Sequence, residues 1–237
     1  MAIELLNIDL ISINCVNPSL SVAAIRHCQK HFKFGRSTLV SHIEPEDHEG
    51  IEFFSAGQKL DWYQYNNEIL QLSKYSDNEF VLVVQDDGYI INPSLWDEEF
   101  LKYDYIGAPW PIEDSWISMQ TPSQQPFMRM NFPQNRVGNG GFSLRSKKFL
   151  EFSGQFQSAE QLGEDTFLCT RKYKDAISAG IRFAPFELAV KFAYENPCFE
   201  YDGHHWNERI QFDSNNHFGW HGHQFANKDL LLEAKFT

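Results

Sequence analysis

A continuous apolar run at residues 80–84, FVLVV, constrains the fold of this chain more than any other feature. Such a run is typical of a central strand that is buried on both faces. Two further β-branched runs lie upstream at 8–16 and 37–43. Between them, after a turn at Asn17-Pro18, apolar residues at helical spacing predict a helix that runs to about Phe32. This alternation predicts an α/β fold with a mostly parallel central sheet, flanked by helices and joined by right-handed crossovers.

The remaining periodic segments predict further elements. A serine at 19 or 21 is expected to cap the first helix. Further strands are expected at 51–55 and 105–107, and further helices at 60–74, 96–102, 146–152 (capped by Ser146) and from about Glu164 onward. Five prolines within 109–134 predict a loop without helix that could gate a substrate. The C-terminal third is expected to be irregular.

Composition narrows the class of protein. The chain has 237 residues, 42% of them hydrophobic, which predicts one elaborated domain with a substantial core. Within this domain, residues 8–88 are expected to form one half and residues 104–223 the other. The formal net charge of −12 disfavours binding to nucleic acid. No apolar run reaches the ~20 residues of a membrane span, and residues 1–15 carry no cationic region before an apolar stretch, so we expect a soluble chain without a leader. Four cysteines without metal-binding spacing predict free thiols in the cytoplasm.

The buried strand at 80–84 ends in the tetrapeptide Gln85-Asp86-Asp87-Gly88. Ligands bind at the carboxyl ends of strands in open α/β sheets. Paired carboxylates at such a position suit Mg²⁺ or Mn²⁺, which leave coordination positions for substrate phosphates. The alternative is a solvated Asp-Asp-Gly turn.

Three histidines, His217, His221 and His223, follow one another near the C-terminus. One of them could complete the aspartate site, because imidazole is an acceptable ligand for Mn²⁺. The spacing of His221 and His223 would also place both on one face of a strand, as in a separate histidine site. Ordinary buried or surface histidines are the third alternative.

A glycine-rich segment, VGNGGFSLR at 137–145, contains Asn139, Gly140 and Gly141. Glycines let the backbone approach a ligand closely, although a bulged turn uses them equally well. The spacing matches neither a dinucleotide-binding nor a P-loop motif. The pair Glu164-Asp165 could supply a general base, or could only stabilise the N-terminus of a helix.

In combination and in order, these segments resemble a known family. QDDG, DYIGAPW (104–110), VGNGGFSLRS (137–146), EDTF (164–167), FAPFELAVKFAYE (183–195) and FGWHG (218–222) look like a largely bacterial family of uncharacterised glycosyltransferase-like proteins with the GT-A fold. The likeness extends from about Leu10 to Gly222. It implies an enzyme that transfers a sugar from a nucleotide-diphosphate donor to a hydroxyl of a glycan or glycolipid, with inversion, as in polysaccharide biosynthesis.

The resemblance also implies residue roles. The N-terminal half would bind the donor nucleotide, through Asn14, Asn17, Gln85, Asp86 and Asp87. Asp87 and His221 would hold Mn²⁺ or Mg²⁺, although Gln85 stands where the family has its first Asp. Asp165 would act as the catalytic base and Glu164 would bind acceptor hydroxyls. Trp110, Asn139, Gly140 and Gly141 would line the sugar and acceptor cleft.

Two other functions are compatible with these residues. A metal-dependent phosphoester hydrolase could use Asp86, Asp87, His221 and His223 around two metal ions. A noncatalytic sugar-binding module that keeps the fold is favoured by the Gln85 departure. A basic group, Arg171, Lys172 and Lys174, could contact a lipid-linked phosphate at a membrane surface, or form a solvated helix face.

Overall fold

The computed structural model of the protein describes residues 2–111, 114–130, 137–196, 198–201, 206–210 and 212–222. Its strands are β1 Ile3–Leu5, β2 Ile8–Ile13, β3 Phe32–Phe34, β4 Ser37–Ser41, β5 Glu52–Ser55, β6 Phe80–Val83, β7 Gly88–Ile90, β8 Tyr105–Gly107, β9 Ser143–Ser146, β10 Ala193–Tyr194, β11 Cys198–Tyr201, β12 Trp206–Ile210 and β13 Gly219–His221.

The helices are α1 Pro18–Gln29, α2 Trp62–Ile69, α3 Asp114–Met119, α4 Gln125–Met130, α5 Lys147–Ser153, α6 Glu164–Thr166, α7 Tyr173–Ser178 and α8 Phe186–Phe192. Short 3-10 segments lie at Leu72–Lys74, Pro93–Leu95 and Glu98–Lys102, and a π-helical turn at Phe167–Arg171 joins α6 to α7.

The central sheet has the strand order β5-β4-β2-β6-β9-β8. β5, β4, β2 and β6 are parallel, whereas β9 is antiparallel to both of its neighbours. Helix α1 packs on β2 and β4, and α5 packs on β9. The predicted α/β class, with a mostly parallel central sheet flanked by helices, is confirmed.

Strand β6 is buried on both faces, as its apolar run predicts. Leu82 belongs to one hydrophobic cluster, together with residues of α1, whereas Val81 and Val83 belong to a second cluster, together with Ile69. Successive side chains of a strand point to opposite faces, so a run without polar residues needs apolar cover on both. The larger cluster contains residues from both predicted halves of the chain.

A smaller sheet, ordered β10-β13-β7, joins the C-terminal part of the chain to the turn that follows β6. β13 pairs antiparallel with β7, so His221 lies opposite Gly88. β13 also pairs parallel with β10, with Tyr194 opposite Trp220. This sheet therefore brings residues 195, 221 and 87 to one place.

Three predictions about elements are wrong. The first helix begins at Pro18 after Asn17, and not after a serine, because proline suits the first helical position. Helices α3 and α4 lie within the segment predicted to lack helix. Pro126 is the second residue of α4, where a missing N–H breaks no helical hydrogen bond. The C-terminal third is more regular than expected, since α8 packs on β8.

The helix predicted after Ser146 is confirmed as α5, with the Ser146 hydroxyl accepting a hydrogen bond from the Phe149 N–H at 3.2 Å. The strand predicted at 105–107 is confirmed as β8. All four cysteines are buried, and none of them forms a disulfide bond.

Candidate active site

An open cleft of about 720 Å³ lies at the carboxyl ends of β2 and β6. It is lined by residues of both strand ends, of α2 and of the segment after β13: Ile13, Asn14, Cys15, Val16, Leu60, Asp61, Trp62, Tyr65, Gln85, Asp86, Asp87, Glu195, His221 and Gly222. This is the position where open α/β sheets bind ligands.

The tetrapeptide 85–88 forms a tight turn in the wall of this cleft. The Gln85 N–H donates to the Gly88 carbonyl at 2.8 Å, and the Gly88 N–H donates to the Gln85 carbonyl at 3.1 Å. Asp86 and Asp87 occupy the two central positions, and Asp87 is only 7% exposed. The tetrapeptide is therefore a turn, as one interpretation predicts. The turn also carries both carboxylates into the cleft, as the cation-binding interpretation requires.

Asn14 connects the ends of the two strands. Its side-chain amide donates to Asp86 Oδ1 at 3.3 Å and to Ser21 Oγ at 3.0 Å. Its Oδ1 accepts from the backbone N–H groups of Val16 and Asn17, at 2.8 and 2.9 Å. The predicted residue Asn17 takes part only through its backbone in these contacts, and its exposed side chain does not line the cleft.

His221 lies at the centre of the cleft wall. Its Nε2 is 2.9 Å from Gln85 Oε1 and 3.5 Å from Asp87 Oδ1, and its Nδ1 is 3.2 Å from Glu195 Oε1. Burial lowers the pKa of His221, but the hydrogen bond and charge of Glu195 and the charge of Asp87 outweigh it, so the pKa is raised above its usual value.

The glycine segment packs directly against these groups. A Cβ on Gly141 would lie 2.1 Å from His221 Nε2, and one on Gly140 would lie 2.1 Å from Glu164 Oε1. Any side chain at either position would displace the site. Asn139 Nδ2 is 3.0 Å from His221 Nδ1, so the segment also touches the imidazole through a polar group. The structure therefore brings the predicted glycine segment, histidine and acidic pair together.

Glu164 is an interior residue. Its Oε1 and Oε2 accept hydrogen bonds from the two terminal nitrogens of Arg145, at 2.8 and 3.3 Å. Arg145 is fully buried and also donates to the Gly140 carbonyl at 3.2 Å. Glu164 thus pairs inside the protein rather than at the surface of the cleft, and its contact with an acceptor stays a prediction.

Asp165 lies beside the glycine segment and is partly buried. Its Oδ2 accepts from the Gly140 N–H at 3.2 Å, and its Oδ1 accepts from the Thr166 N–H at 2.6 Å. Burial, followed by the negative charge of Glu164, raises the pKa of Asp165 to about 7, although both backbone hydrogen bonds lower it. A carboxyl group with such a pKa can take up and release a proton near neutral pH.

Other predicted residues lie elsewhere. Trp110 is 3% exposed and packs against Gly138 in the core, so its sugar contact stays a prediction. His217 is buried with Nδ1 2.6 Å from the Val190 carbonyl, as in an ordinary structural histidine. His223, which the hydrolase hypothesis uses, lies outside the described residues.

Sequence reasoning missed three residues of the site. Tyr65 accepts a hydrogen bond from the Gln85 amide, Glu195 contacts His221, and Arg145 pairs with Glu164. Glu195 ends one of the family-like motifs, which is a signal that could have identified it. Its contact depends on the pairing of β10 with β13, which the local sequence does not reveal.

The described residues contain no group of three or more His, Cys, Asp or Glu side chains arranged to hold a metal ion. Two oxygens do lie within 3.5 Å of His221 Nε2, namely Gln85 Oε1 at 2.9 Å and Asp87 Oδ1 at 3.5 Å. Within the described part of the chain, no helix is both long and apolar enough to span a bilayer.

A family model described as "Protein of unknown function (DUF5672)" matches residues 51–207, more than half of the chain. The chain belongs to this family. No curated protein matches the sequence.

Several solved glycosyltransferase structures are similar in fold at low identity. A complex of the galactosyltransferase LgtC with donor and acceptor sugar analogues is 13% identical, with a TM-score of 0.46, over 79% of this chain and 75% of that one. An active-site mutant of LgtC is 14% identical, with a TM-score of 0.48, over 90% and 86%. The glycosyltransferase GlyE of Streptococcus pneumoniae TIGR4 is 11% identical, with a TM-score of 0.40, over 74% and 44%.

Proposed function

We propose that this protein is a glycosyltransferase that moves a sugar from a nucleotide-diphosphate donor to a hydroxyl of a glycan or glycolipid, with inversion. The observation that carries the proposal is the position of Asp165. It is a partly buried carboxyl group with a pKa of about 7, placed beside a glycine segment that itself touches His221 of the cleft. The six motifs that resemble glycosyltransferase-like proteins give the reaction class.

The cleft would bind the donor. Asn14 and the turn 85–88 lie at the strand ends, where the nucleotide of such a donor would sit. The donor set of Gln85 Oε1, Asp87 Oδ1 and His221 Nε2 fits Mg²⁺ or Mn²⁺, which use few protein ligands and leave positions for phosphate oxygens. A cation held there would neutralise the negative charge that develops on the departing diphosphate.

Glu195 would keep His221 in position for that task. Its carboxylate lies at Nδ1, on the far side of the ring from Asp87, and so favours a proton on Nδ1. With the proton on Nδ1, the lone pair of Nε2 would be able to bind a cation in place of the present contact of Nε2 with Gln85 Oε1, as metal-binding histidines commonly do.

Asp165 would remove the proton of the attacking acceptor hydroxyl. As the hydroxyl oxygen forms a bond to the anomeric carbon, the bond from that carbon to the diphosphate oxygen breaks on the opposite face. The proton ends on the Asp165 carboxylate and the electron pair leaves with the nucleoside diphosphate. Backbone N–H groups of Gly140 and Thr166 hold the carboxylate in place, and its pKa near 7 suits a base that works at neutral pH.

A thermal-shift panel tests the donor site. UDP, GDP, CDP and dTDP are each added with Mn²⁺ or with EDTA. We expect one of them to raise the melting temperature only with Mn²⁺, because a ligand at 100 times its Kd stabilises the native state by about 2.7 kcal/mol.

The variant Asp87→Asn should lose this shift. Asp97→Asn is a matched control, because Asp97 caps a 3-10 segment outside the cleft and Asn caps equally well. A panel without any shift on folded wild-type protein would contradict the proposed function, as would an unchanged shift in Asp87→Asn.

A further inference from the structure

A second, smaller pocket of about 270 Å³ lies against helix α2. We call it the Tyr63 pocket; its lining residues are Tyr63, Asn67, Ser158, Ala159, Gln161 and Leu162. None of them lines the larger cleft. The volume is slightly below the range of about 300–1,000 Å³ for small-molecule sites, so it suits a small ligand the size of one sugar ring.

Two exposed aromatic rings connect this pocket to the cleft. Trp62 lines the cleft and is 51% exposed, whereas Tyr63 lines the pocket and is 53% exposed. Their ring centroids are 5.1 Å apart and the rings are nearly perpendicular, at 81°. Large aromatic surfaces left in solvent commonly mark binding sites, since they combine apolar faces with a polar edge.

The start of α2 holds these rings in place. Asp61 accepts a hydrogen bond from the Gln64 N–H at 2.8 Å, and the Gln64 side chain accepts one from the Asp61 N–H at 3.0 Å. This reciprocal capping fixes the first turn of the helix, where Trp62 and Tyr63 are the first two residues. The exposed rings therefore have a defined backbone position.

The opposite wall of the pocket is a strained turn. Glu160 and Gln161 have φ values of 53° and 63°, and the Leu162 N–H donates to the Ala159 carbonyl at 2.9 Å. Two successive positive φ values within such a hydrogen bond are typical of a type I′ turn, which favours Asn and Gly. Glu and Gln are unfavourable there, by an amount on the order of 1 kcal/mol each.

Contacts within the pocket wall maintain this turn. The Ala159 N–H donates to Asn67 Oδ1 at 2.9 Å, which ties the turn to α2, and the Glu160 N–H donates to Ser158 Oγ at 3.1 Å. Strained residues that persist under such constraints cluster at ligand sites. Gln161 lines the pocket despite its unfavourable φ. A glycine at this position would adopt the turn more easily, but it would have no side chain to contact a ligand.

The chemistry of the lining selects the ligand. A phenol, two amides and a hydroxyl line the pocket together with apolar groups, and none of the described lining residues is charged. Such groups suit a ligand rich in neutral hydroxyls, and the net charge of −12 disfavours anions. Along the chain, Leu162 lies three residues before the proposed base, Asp165.

We propose that the Tyr63 pocket binds one ring of a neutral glycan, the acceptor in the transfer reaction. This inference rests on the proposed function, because it assigns the second substrate of the same site. The Trp62 and Tyr63 rings would then form the path along which the acceptor reaches from the pocket to the donor cleft.

Saturation-transfer NMR with neutral methyl glycosides tests the inference. The probes are the methyl glycosides of glucose, galactose, mannose and N-acetylglucosamine, each at millimolar concentration. At least one of them should bind the wild-type chain. Tyr63→Ala should weaken its Kd about tenfold and Gln161→Gly about fivefold, since each removes a lining contact.

Glu160→Gly is the matched control for Gln161→Gly. Both variants place glycine at a positive φ, which glycine adopts without steric penalty, so both are expected to fold. Only Gln161 lines the pocket, so Glu160→Gly should leave the glycoside Kd unchanged. Equal effects of the two glycine variants, or no glycoside binding to wild type, would overturn the inference.

The nucleotide thermal shift is measured on the same variants to separate the two proposals. Tyr63 and Gln161 lie outside the cleft, so their variants should keep the Mn²⁺-dependent shift. If that shift persists while no glycoside binds, the pocket inference fails and the donor site stands. If glycosides bind the pocket while wild type shows no nucleotide shift, the protein binds glycans without the proposed transfer, and the acceptor role is withdrawn.

Discussion

Asp165 shows how one residue acquires a chemical property from its surroundings. An exposed aspartate has a pKa of about 3.9 and would be a weak base at neutral pH. Here burial and the neighbouring Glu164 raise the pKa to about 7. The sequence identifies the acidic pair, but it cannot say which carboxylate is paired with Arg145 and which keeps access to a proton.

The raised pKa predicts an unusual pH dependence of stability. The folded protein binds the Asp165 proton more tightly than the unfolded chain, so this group contributes stability that is fully present below about pH 4 and is lost as the pH rises through about 7. The Asp165→Asn variant has no titratable group at this position, so it does not lose stability in this way as the pH rises. Between about pH 4.5 and 7.5, the free energy of unfolding of the variant should therefore improve relative to wild type, by no more than about 4 kcal/mol.

Urea denaturation of both proteins at the two pH values measures this difference. The variant also places an amide donor near the Gly140 N–H, but that effect is the same at both pH values and cancels in the comparison. Asp97→Asn, which alters a capping residue outside the cleft, should show no such trend. If the difference in the free energy of unfolding between Asp165→Asn and wild type is the same at both pH values, the pKa of Asp165 is not raised.

At the scale of elements, the buried pair of Arg145 and Glu164 joins β9 to α6. Its two hydrogen bonds, at 2.8 and 3.3 Å, cross between the sheet and the helix that carries Asp165. Arg145 also donates a hydrogen bond to the carbonyl of Gly140, and the N–H of Gly140 donates one to Asp165. The pair therefore positions the glycine segment and the helix relative to each other.

Glu164→Gln should be strongly destabilising. It leaves the fully buried Arg145 guanidinium without its counter-charge, and breaking a buried pair in this way costs about 3–5 kcal/mol. Glu160→Gln is the matched control, because Glu160 pairs with Arg171 on the surface at 3.4 Å and such pairs contribute about 0–1 kcal/mol. Urea denaturation compares the two variants, and similar small losses would show that the buried pair does not tie β9 to α6.

Helices within 109–134 show the limit of element prediction from residue type. Prolines there disfavour helix on average, but Pro122 precedes α4 and Pro126 falls in its first turn, where a missing N–H is harmless. The strands β6 and β8 and the helix α5 were predictable, because their signals are an apolar run, a β-rich segment and a capping serine. These signals depend only on neighbours along the chain.

At the scale of the whole molecule, the net charge of −12 governs association with charged partners. The predicted basic group is largely compensated in the structure. Arg171 lies 3.4 Å from Glu160, and Lys172 lies 3.8 Å from Asp175 and over the rings of Phe156 and Phe167. The solvated-face interpretation is therefore favoured over a phosphate-binding patch.

Vesicles that contain phosphatidylserine should not bind the protein at physiological ionic strength. The negative surface potential of such vesicles repels a protein with a net charge of −12, and the basic group at 171–174 is largely compensated. Co-sedimentation with anionic and with neutral vesicles measures this. Binding to the anionic vesicles alone, abolished in Lys172→Ala and Lys174→Ala, would instead support contact with a membrane surface.

The class of the fold and most of the candidate residues can be predicted from the amino-acid sequence alone. Apolar runs and helical spacing are local properties, and they predict the elements that build the central sheet. The acidic turn after β6, the glycine segment and the pair at 164–165 are also contiguous in the chain. Each could therefore be recognised before any contact was known.

How these segments come together depends on long-range pairing in the folded chain. Residues 88–90 and 219–221 pair across some 130 positions of the chain, and β10 joins them, so that Glu195 and Asp87 reach opposite sides of His221. Burial then pairs Glu164 with Arg145 and leaves Asp165 with a raised pKa. Strand pairing and burial depend on residues that are distant along the chain. Local sequence patterns therefore do not predict these contacts or the pKa shifts that result from them.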